Sequence, residues 1–169
     1  MSRPVEAKVD VLTAFKNAFR EHPAGIALIT AATPDGPVGL TASSVASVSV
    51  DPLALSFSVT RATGSAGAII RSNSYLVHLL DHRHQDIAQH FSVTGGERFT
   101  PEQGWTVLDT GEPYLPGVRA ALRCRTLQQV PVGSSTLVAA EVLEIVSGES
   151  ADPMVYHDRT FTRLSRPGT

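Results

Sequence analysis

Two short stretches carry most of the chain's capacity for binding chemistry. The first, Gly39-Leu40-Thr41-Ala42-Ser43-Ser44, gathers hydroxyls and small side chains directly after an apolar run. Exposed backbone N–H groups and hydroxyls in such a stretch can wrap a phosphate or a planar heterocycle. The same residues would also suit a plain Ser/Thr-rich strand edge. The second, Arg61-Ala62-Thr63-Gly64-Ser65, ends an alternating segment and opens a helical one. An arginine beside a helix N-terminus suits an anion, because the free amides and the helix dipole act in the same sense. An ordinary capped turn with a solvated arginine is the other reading.

Other chemistries find less support. His78, His82, His84 and His90 fall close together, but no His-Glu-X-X-His or similar ligand spacing appears, so they read as surface helix histidines rather than metal ligands. Cys124 is the only cysteine, which rules out an intramolecular disulfide and argues against a cysteine zinc site. It reads as a core or sheet-face thiol. The Gly-X-Ser-X-Gly elbow of serine hydrolases is absent, since Gly64-Ser65-Ala66-Gly67 has the wrong spacing, and there is no Gly-X-Gly-X-X-Gly dinucleotide loop.

The elements that must position these residues follow from periodicity. Leu12, Phe15 and Phe19 recur at three and four, one face of a short amphipathic helix with Asp10 as cap and Pro23 forcing its end near 21–22. Residues 25–32 and 37–41 read as strands about the turn Thr33-Pro34-Asp35-Gly36. Residues 45–50 alternate loosely. Residues 53–59 alternate strictly, with Leu53, Leu55, Phe57 and Val59 on one side and Ala54, Ser56 and Ser58 on the other. A small polar face in place of Lys, Glu or Arg suits the close approach of a ligand or another sheet. Helices are expected over 65–71 and 82–91 and a strand over 75–80. A loop-rich stretch over 98–116 is anchored by Trp105 and Val107. Two long β segments, 120–130 and 136–146, are joined at Pro131-Val132-Gly133-Ser134, and short strands at 154–156 and 160–164 close the chain. Without linker, repeat or low-complexity tract, this reads as a single domain over 1–169, a β-barrel or α+β fold.

Composition agrees. In 169 residues, 42% are hydrophobic and only 18% charged, against about 25% charged in a typical soluble domain, so some surface is expected to be hidden in a partner. With net charge −2 and Lys8 and Lys16 its only lysines, the chain lacks the basic footprint of a nucleic-acid binder. No run approaches the roughly 18 apolar residues of a transmembrane helix. The first ten residues lack a signal peptide's apolar core, and a cytoplasmic location is expected.

In order and spacing, several stretches resemble the flavin reductase family, the short FMN/FAD-binding split-barrel proteins. They are Phe19-Arg20 with His22-Pro23-Ala24-Gly25-Ile26-Ala27-Leu28-Ile29-Thr30; Asp35-Gly36-Pro37-Val38-Gly39-Leu40-Thr41-Ala42-Ser43-Ser44; Ser47-Val48-Ser49-Val50-Asp51-Pro52-Leu53; Phe91, Arg98-Phe99 and Trp105; Ala121-Leu122-Arg123-Cys124; and Pro153-Met154-Val155-Tyr156-His157 with Phe161 and Leu164. The resemblance covers about 12–165. It implies a mainly β, Greek-key split barrel with two or three short helices, usually a homodimer with FMN or FAD near the subunit interface. NADH or NADPH would serve as cosubstrate, and a partner monooxygenase would receive the reduced flavin. It also implies site roles. Thr41, Ala42, Ser43 and Ser44 would wrap the flavin, Ser58, Val59 and Thr60 would lie beside the ring, and Arg61 and Ser65 would take the phosphate. Phe91, Arg98 and Phe99 would help cover it.

One departure stands out. Members that use a nicotinamide nucleotide commonly carry Gly-Asp-His before the penultimate long strand, and the matching positions here are Gly133-Ser134-Ser135. Ser135 thus stands where the family's nucleotide-contacting imidazole would be, and His157 is the other histidine expected near the cofactor. An FMN-binding split-barrel protein that uses no NAD(P)H, as carrier or electron-transfer protein, is the alternative this departure leaves open.

Overall fold

The computed structural model describes residues 10–165; the expectation for the first ten residues falls almost wholly outside them. Helix α1 (Val11–Glu21) begins where Asp10 accepts hydrogen bonds from the amides of Leu12 and Thr13, and His22 caps it in extended geometry before Pro23. Its apolar stripe is real but unburied: Leu12, Phe15 and Phe19 are each more than half exposed.

The strands are β1 (Ala24–Gly25), β2 (Ala27–Thr33), β3 (Gly36–Ala42), β4 (Ala46–Val50), β5 (Leu53–Thr60), β6 (Tyr75–Leu79), β7 (Thr106–Val107), β8 (Pro113–Tyr114), β9 (Ala120–Val132), β10 (Ser135–Ser147), β11 (Met154–His157) and β12 (Thr160–Arg163). Seven form one antiparallel sheet in the order β3-β2-β6-β9-β10-β5-β4. Its two edge strands, β3 and β4, are consecutive in the chain and joined by only three residues, 43–45. A flat seven-stranded sheet would hold its edges about 29 Å apart at about 4.8 Å per strand, while so short a link spans roughly 15 Å at most. The sheet must therefore curl edge toward edge, which makes it a split barrel. Along β5 the predicted alternation holds from Leu55 onward: Leu55, Phe57 and Val59 are buried inside, whereas Ser58 faces out; Leu53, expected on the inner side, is 48% exposed at the strand's start.

Strand β2 is apolar on both faces because both are covered. Ala27, Ile29 and Ala31 point into the barrel with Phe57, Tyr75 and Cys124. Leu28 joins a second cluster with Phe91, Leu115 and Met154 beneath helix α3 (Gln85–Ser92) and the sheet β1-β11-β12. Helix α2 (Gly64–Arg71) buries Ile69 and Ile70 against the barrel end.

Several elements differ from the sequence expectations. The segment over 25–32 splits at Ile26, because Ala24–Gly25 pairs with β11 instead. The helix over 82–91 is a 3-10 turn, His82–His84, followed by α3. The long hairpin runs through Pro131 and Val132, so its tip is only Gly133-Ser134. Val107 is no anchor; it is 67% exposed on a two-residue strand. His78 is not a surface histidine. It lies fully buried on β6, where Nδ1 donates to the Leu28 carbonyl at 3.0 Å and Nε2 accepts from the Leu115 amide at 3.1 Å. Burial pushes its pKa down to about 4. Cys124 is buried as expected, and burial pushes its thiol up to about 12.

Candidate functional site

The seam where the sheet curls shut is also where the two hydroxyl-rich stretches meet. Ser44, in the three-residue link, accepts a hydrogen bond from the Ser58 amide at 2.9 Å through its hydroxyl. The side chain thereby adds one more rung to the β4–β5 ladder and fixes the link against the outer face of β5. Ser43, Ser44, Ser58, Thr60 and Arg61 all lie exposed along this line. Ala42 and Val59 are buried, and Thr41 turns its hydroxyl inward to the Ala88 carbonyl at 2.7 Å, tying β3 to α3. These three shape the groove through their backbone positions.

At one end the groove deepens into a cleft of about 650 Å³ lined by Leu40, Thr60, Gly64, Ser65, Gly96 and Arg98. Thr63 occupies the N-cap of α2 without a side-chain cap bond, so the first amides of this eight-residue helix open toward the cleft. The turn before it is held tightly. Arg61 has a positive φ of 55°, its amide donates to the Ser134 carbonyl at 2.8 Å, and Thr63 donates to the Arg61 carbonyl at 2.7 Å. A Cβ on Gly67 would stand 2.4 Å from the Ala62 carbonyl oxygen, so only glycine lets the helix fold back this closely.

Arg98 spans the cleft floor. Its Nη1 donates to the Gly39 carbonyl at 3.3 Å and to the Ser65 hydroxyl at 3.4 Å, and its Nη2 donates to the Val93 carbonyl at 2.9 Å. The guanidinium sits 5.6 Å from the Phe91 ring centre. Its Nε is buried and has no hydrogen-bond partner among the described residues. Phe91 is only 2% exposed, so it supports the floor from below, wedged with Phe99 and Trp105 at centroid distances of 5.1 and 5.6 Å. Gly39 is required there, because a Cβ would lie 2.6 Å from the Phe91 ring.

At the other end the groove opens into two adjoining clefts of about 410 and 810 Å³ that share Ser43, Tyr156 and Arg159. The larger is walled by Phe15, Lys16 and Phe19 of α1. The tight turn between β11 and β12 puts Asp158 and Arg159 both at positive φ. Asp158 is ion-paired with Arg20, whose guanidinium holds its carboxyl below the ordinary value, and the Asp158 amide donates to the Arg20 carbonyl at 2.9 Å. Arg159 is thereby fixed beside Ser43.

Ser135 pairs with Thr60 across β10 and β5, so the departure from Gly-Asp-His lies beside the groove, next to Arg61. His157 is exposed but lines none of these clefts. Its neighbours Tyr156 and Arg159 do, and sequence reasoning missed both as groove residues, along with Phe15 and Lys16. Only the tertiary placement of the turn reveals them.

The family described as "Flavin reductase like domain" matches residues 19–165. The chain belongs to the flavin reductase family. It is a flavin-binding oxidoreductase of the split-barrel type. The reductase is 38% identical over 153 residues to an NADH:FMN oxidoreductase from Rhodococcus qingshengii, covering 88% of this chain and 80% of that protein. Among solved structures it resembles a flavin reductase domain protein from Arthrobacter sp. FB24 at a TM-score of 0.85 and 30% identity, over 94% of this chain and 98% of the other. It also resembles the styrene monooxygenase flavin reductase of Pseudomonas putida S12, at a TM-score of 0.79 and 26% identity over 90% and 98% of the two chains.

Proposed function

We propose that this flavin reductase binds FMN or FAD along the seam, phosphate toward α2 and ring toward Ser43 and Ser58, and reduces it with NADH or NADPH. The observation that carries the orientation is Arg98. A buried guanidinium nitrogen without a partner, beside uncapped helix amides and the Ser65 hydroxyl, forms a ready receptor for a phosphate. Arg61 lies at the rim of the same end. Ser43, Ser44 and Ser58 provide the small, hydroxyl-bearing surface that a flat heterocycle can approach closely, and Thr41, Ala42, Val59, Thr60, Phe91 and Phe99 keep that surface in place.

When bound, a flavin supplies the redox chemistry, accepting hydride at N5 from C4 of the reduced nicotinamide. The chain's own residues have then only to bind, to orient and to exclude water, which is why no acid–base pair stands out in the sequence. The relatives named for FMN and NADH favour that pair of substrates.

Three further readings belong to the same proposal. The chain acts as one domain with a core over about 12–165, in keeping with the family match over 19–165. It pairs with a second copy through the outer face of the long hairpin, where Leu127, Val130, Val132 and Leu137 stand exposed. It works in the cytoplasm and hands reduced flavin to a partner monooxygenase, as the name of the Pseudomonas relative suggests; among the described residues no helix is long and apolar enough to cross a membrane. Nucleic acid has no place in this reading.

The deciding experiment is steady-state oxidation of NADH and NADPH with added FMN or FAD. Oxidation well above the free-flavin background is expected. If neither nucleotide is consumed, the reductase reading fails and the carrier reading, favoured by Ser134 and Ser135 in place of the acid and imidazole, replaces it.

A further inference from the structure

The larger cleft at the α1 end has a charge pattern that the flavin does not use. Lys16, Arg20, His22 and Arg159 all line it, and no Asp or Glu does. Arg20 is neutralised by Asp158. Neither Lys16 nor Arg159 has a carboxylate hydrogen-bonded to it among the described residues, and both are exposed. In a chain of net charge −2, two unneutralised cations facing one cavity make a local anion site. The cavity is also the most apolar of the groove, because Phe15 and Phe19 stand side by side at a centroid distance of 4.8 Å, exposed along its wall. Cations over a pyrophosphate beside exposed aromatic rings are what a dinucleotide requires: charge for the bridge, flat faces for the bases.

We infer that Lys16 and Arg159 position the pyrophosphate of the nicotinamide dinucleotide, with Phe15 and Phe19 receiving its adenine, and so take over the docking that Ser134 and Ser135 cannot give. This rests on the proposed use of NADH or NADPH. The placement is geometrically consistent. Arg159 and Tyr156 line both clefts at the ring end of the groove with Ser43, so a dinucleotide lying there would have its nicotinamide directed toward the face of a flavin resting on Ser43 and Ser58. The Arg20–Asp158 pair acts as the hinge pin that keeps the turn carrying Arg159 against α1. A second copy of this chain covering α1 is the competing occupant of the apolar wall.

The test compares two hydride donors in the full-length protein with FMN. One is NADH; the other is 1-benzyl-1,4-dihydronicotinamide, which has the reactive ring but no phosphate. For the double variant Lys16→Gln/Arg159→Gln, kcat/KM for NADH should fall about tenfold relative to that for the benzyl donor, two exposed charge contacts being lost. The rise of NADH KM with added salt should flatten in parallel. The charge-keeping double variant Lys16→Arg/Arg159→Lys should retain most of the original kcat/KM for NADH. A donor ratio equal to that of the original protein would overturn the assignment, as would a change in elution volume showing that the same substitutions break a dimer. An original protein that reduces FMN with the benzyl donor but not with NADH also overturns it, yet leaves flavin reduction standing. Failure with both donors and with NADPH removes the proposed function itself.

Discussion

At the α2 end of the groove the central cation, Arg98, is already tied to the protein, whereas at the α1 end Lys16 and Arg159 stand exposed with no carboxylate hydrogen-bonded to them among the described residues. Arg98 is held by three backbone carbonyls and a hydroxyl, rests on a buried aromatic, and keeps one nitrogen spare. The backbone turn of Arg159 is held by the Arg20–Asp158 contacts, but the side chains of Lys16 and Arg159 have no such scaffolding, and the helix carrying Lys16 buries none of its residues. A preorganised end loses little freedom on binding and suits a ligand that is held in one pose. A loosely built end suits one that comes and goes. The contrast matches a reaction in which one partner must be placed before the other arrives.

The largest blow to this contrast should come from below. Phe91→Ala removes the ring that supports Arg98 and meets Gly39, and should cost about 3–5 kcal/mol of stability. Thermal unfolding checks this, and a loss no larger than that of a surface substitution would show that the α2 end is not braced by its aromatic floor.

Acid should loosen the same end next. His78 stays neutral in the fold, its pKa pushed down to about 4 by burial, and its ring lies 6.0 Å from Trp105, which packs on Phe91 and Phe99. An unfolded chain would protonate it near the ordinary value of 6.5. The unfolded state therefore takes up the proton first as pH falls. Stability should decline between about 6.5 and 4, by about 3 kcal/mol in all. Denaturant midpoints measured across that range, in the original protein and in His78→Gln, should diverge; parallel curves would contradict this assignment of the acid sensitivity.

Arg98→Ala should act on the ligand more than on the fold. Loss of one charge-assisted contact of about 1.5–3 kcal/mol should weaken flavin binding by roughly one to two powers of ten. Fluorescence titration with FMN reads this directly. An affinity equal to that of the original protein would place the phosphate elsewhere in the groove and dissolve the distinction between the two ends.

Local patterns were legible in the sequence; long-range placements were not. The cap at Asp10, the alternation of β5 from Leu55 onward and the helix expected over 65–71 come from neighbours along the chain, and the structure keeps them nearly to the residue, with α2 beginning one position earlier at Gly64. The break of β2 at Ile26 was hidden because both of its faces are buried, which erases the period. Val107 read as an anchor because apolarity alone does not tell a core residue from an edge one. His78 read as a surface group because its partners, Leu28 and Leu115, are about fifty and thirty-seven positions away. Glu112 gave no signal at all. It is buried at 2% exposure; desolvation raises its pKa, but hydrogen bonds from Ser74, Thr110 and Arg123 outweigh that and hold it low. Of the groove, the hydroxyl stretches were visible as composition. The clefts around Arg159 needed the fold.

The order of strands around the barrel also has a consequence in time. The pairs β2–β3, β4–β5, β9–β10 and β11–β12 are hairpins between sequence neighbours and form with little loop-closure entropy. The pairs β5–β10 and β6–β9 join distant parts of the chain, and such contacts slow folding. Thr60 meets Ser135, and Arg61 meets Ser134, only through the β5–β10 pairing. A newly made chain therefore has its hairpins before it has its groove, and the last contacts to arrive are those that close the proposed binding seam. Pulse-labelled hydrogen exchange during refolding should find the amides of β9 and β10 facing each other protected ahead of those that β5 shares with β10; simultaneous protection would make the groove part of the folding nucleus instead.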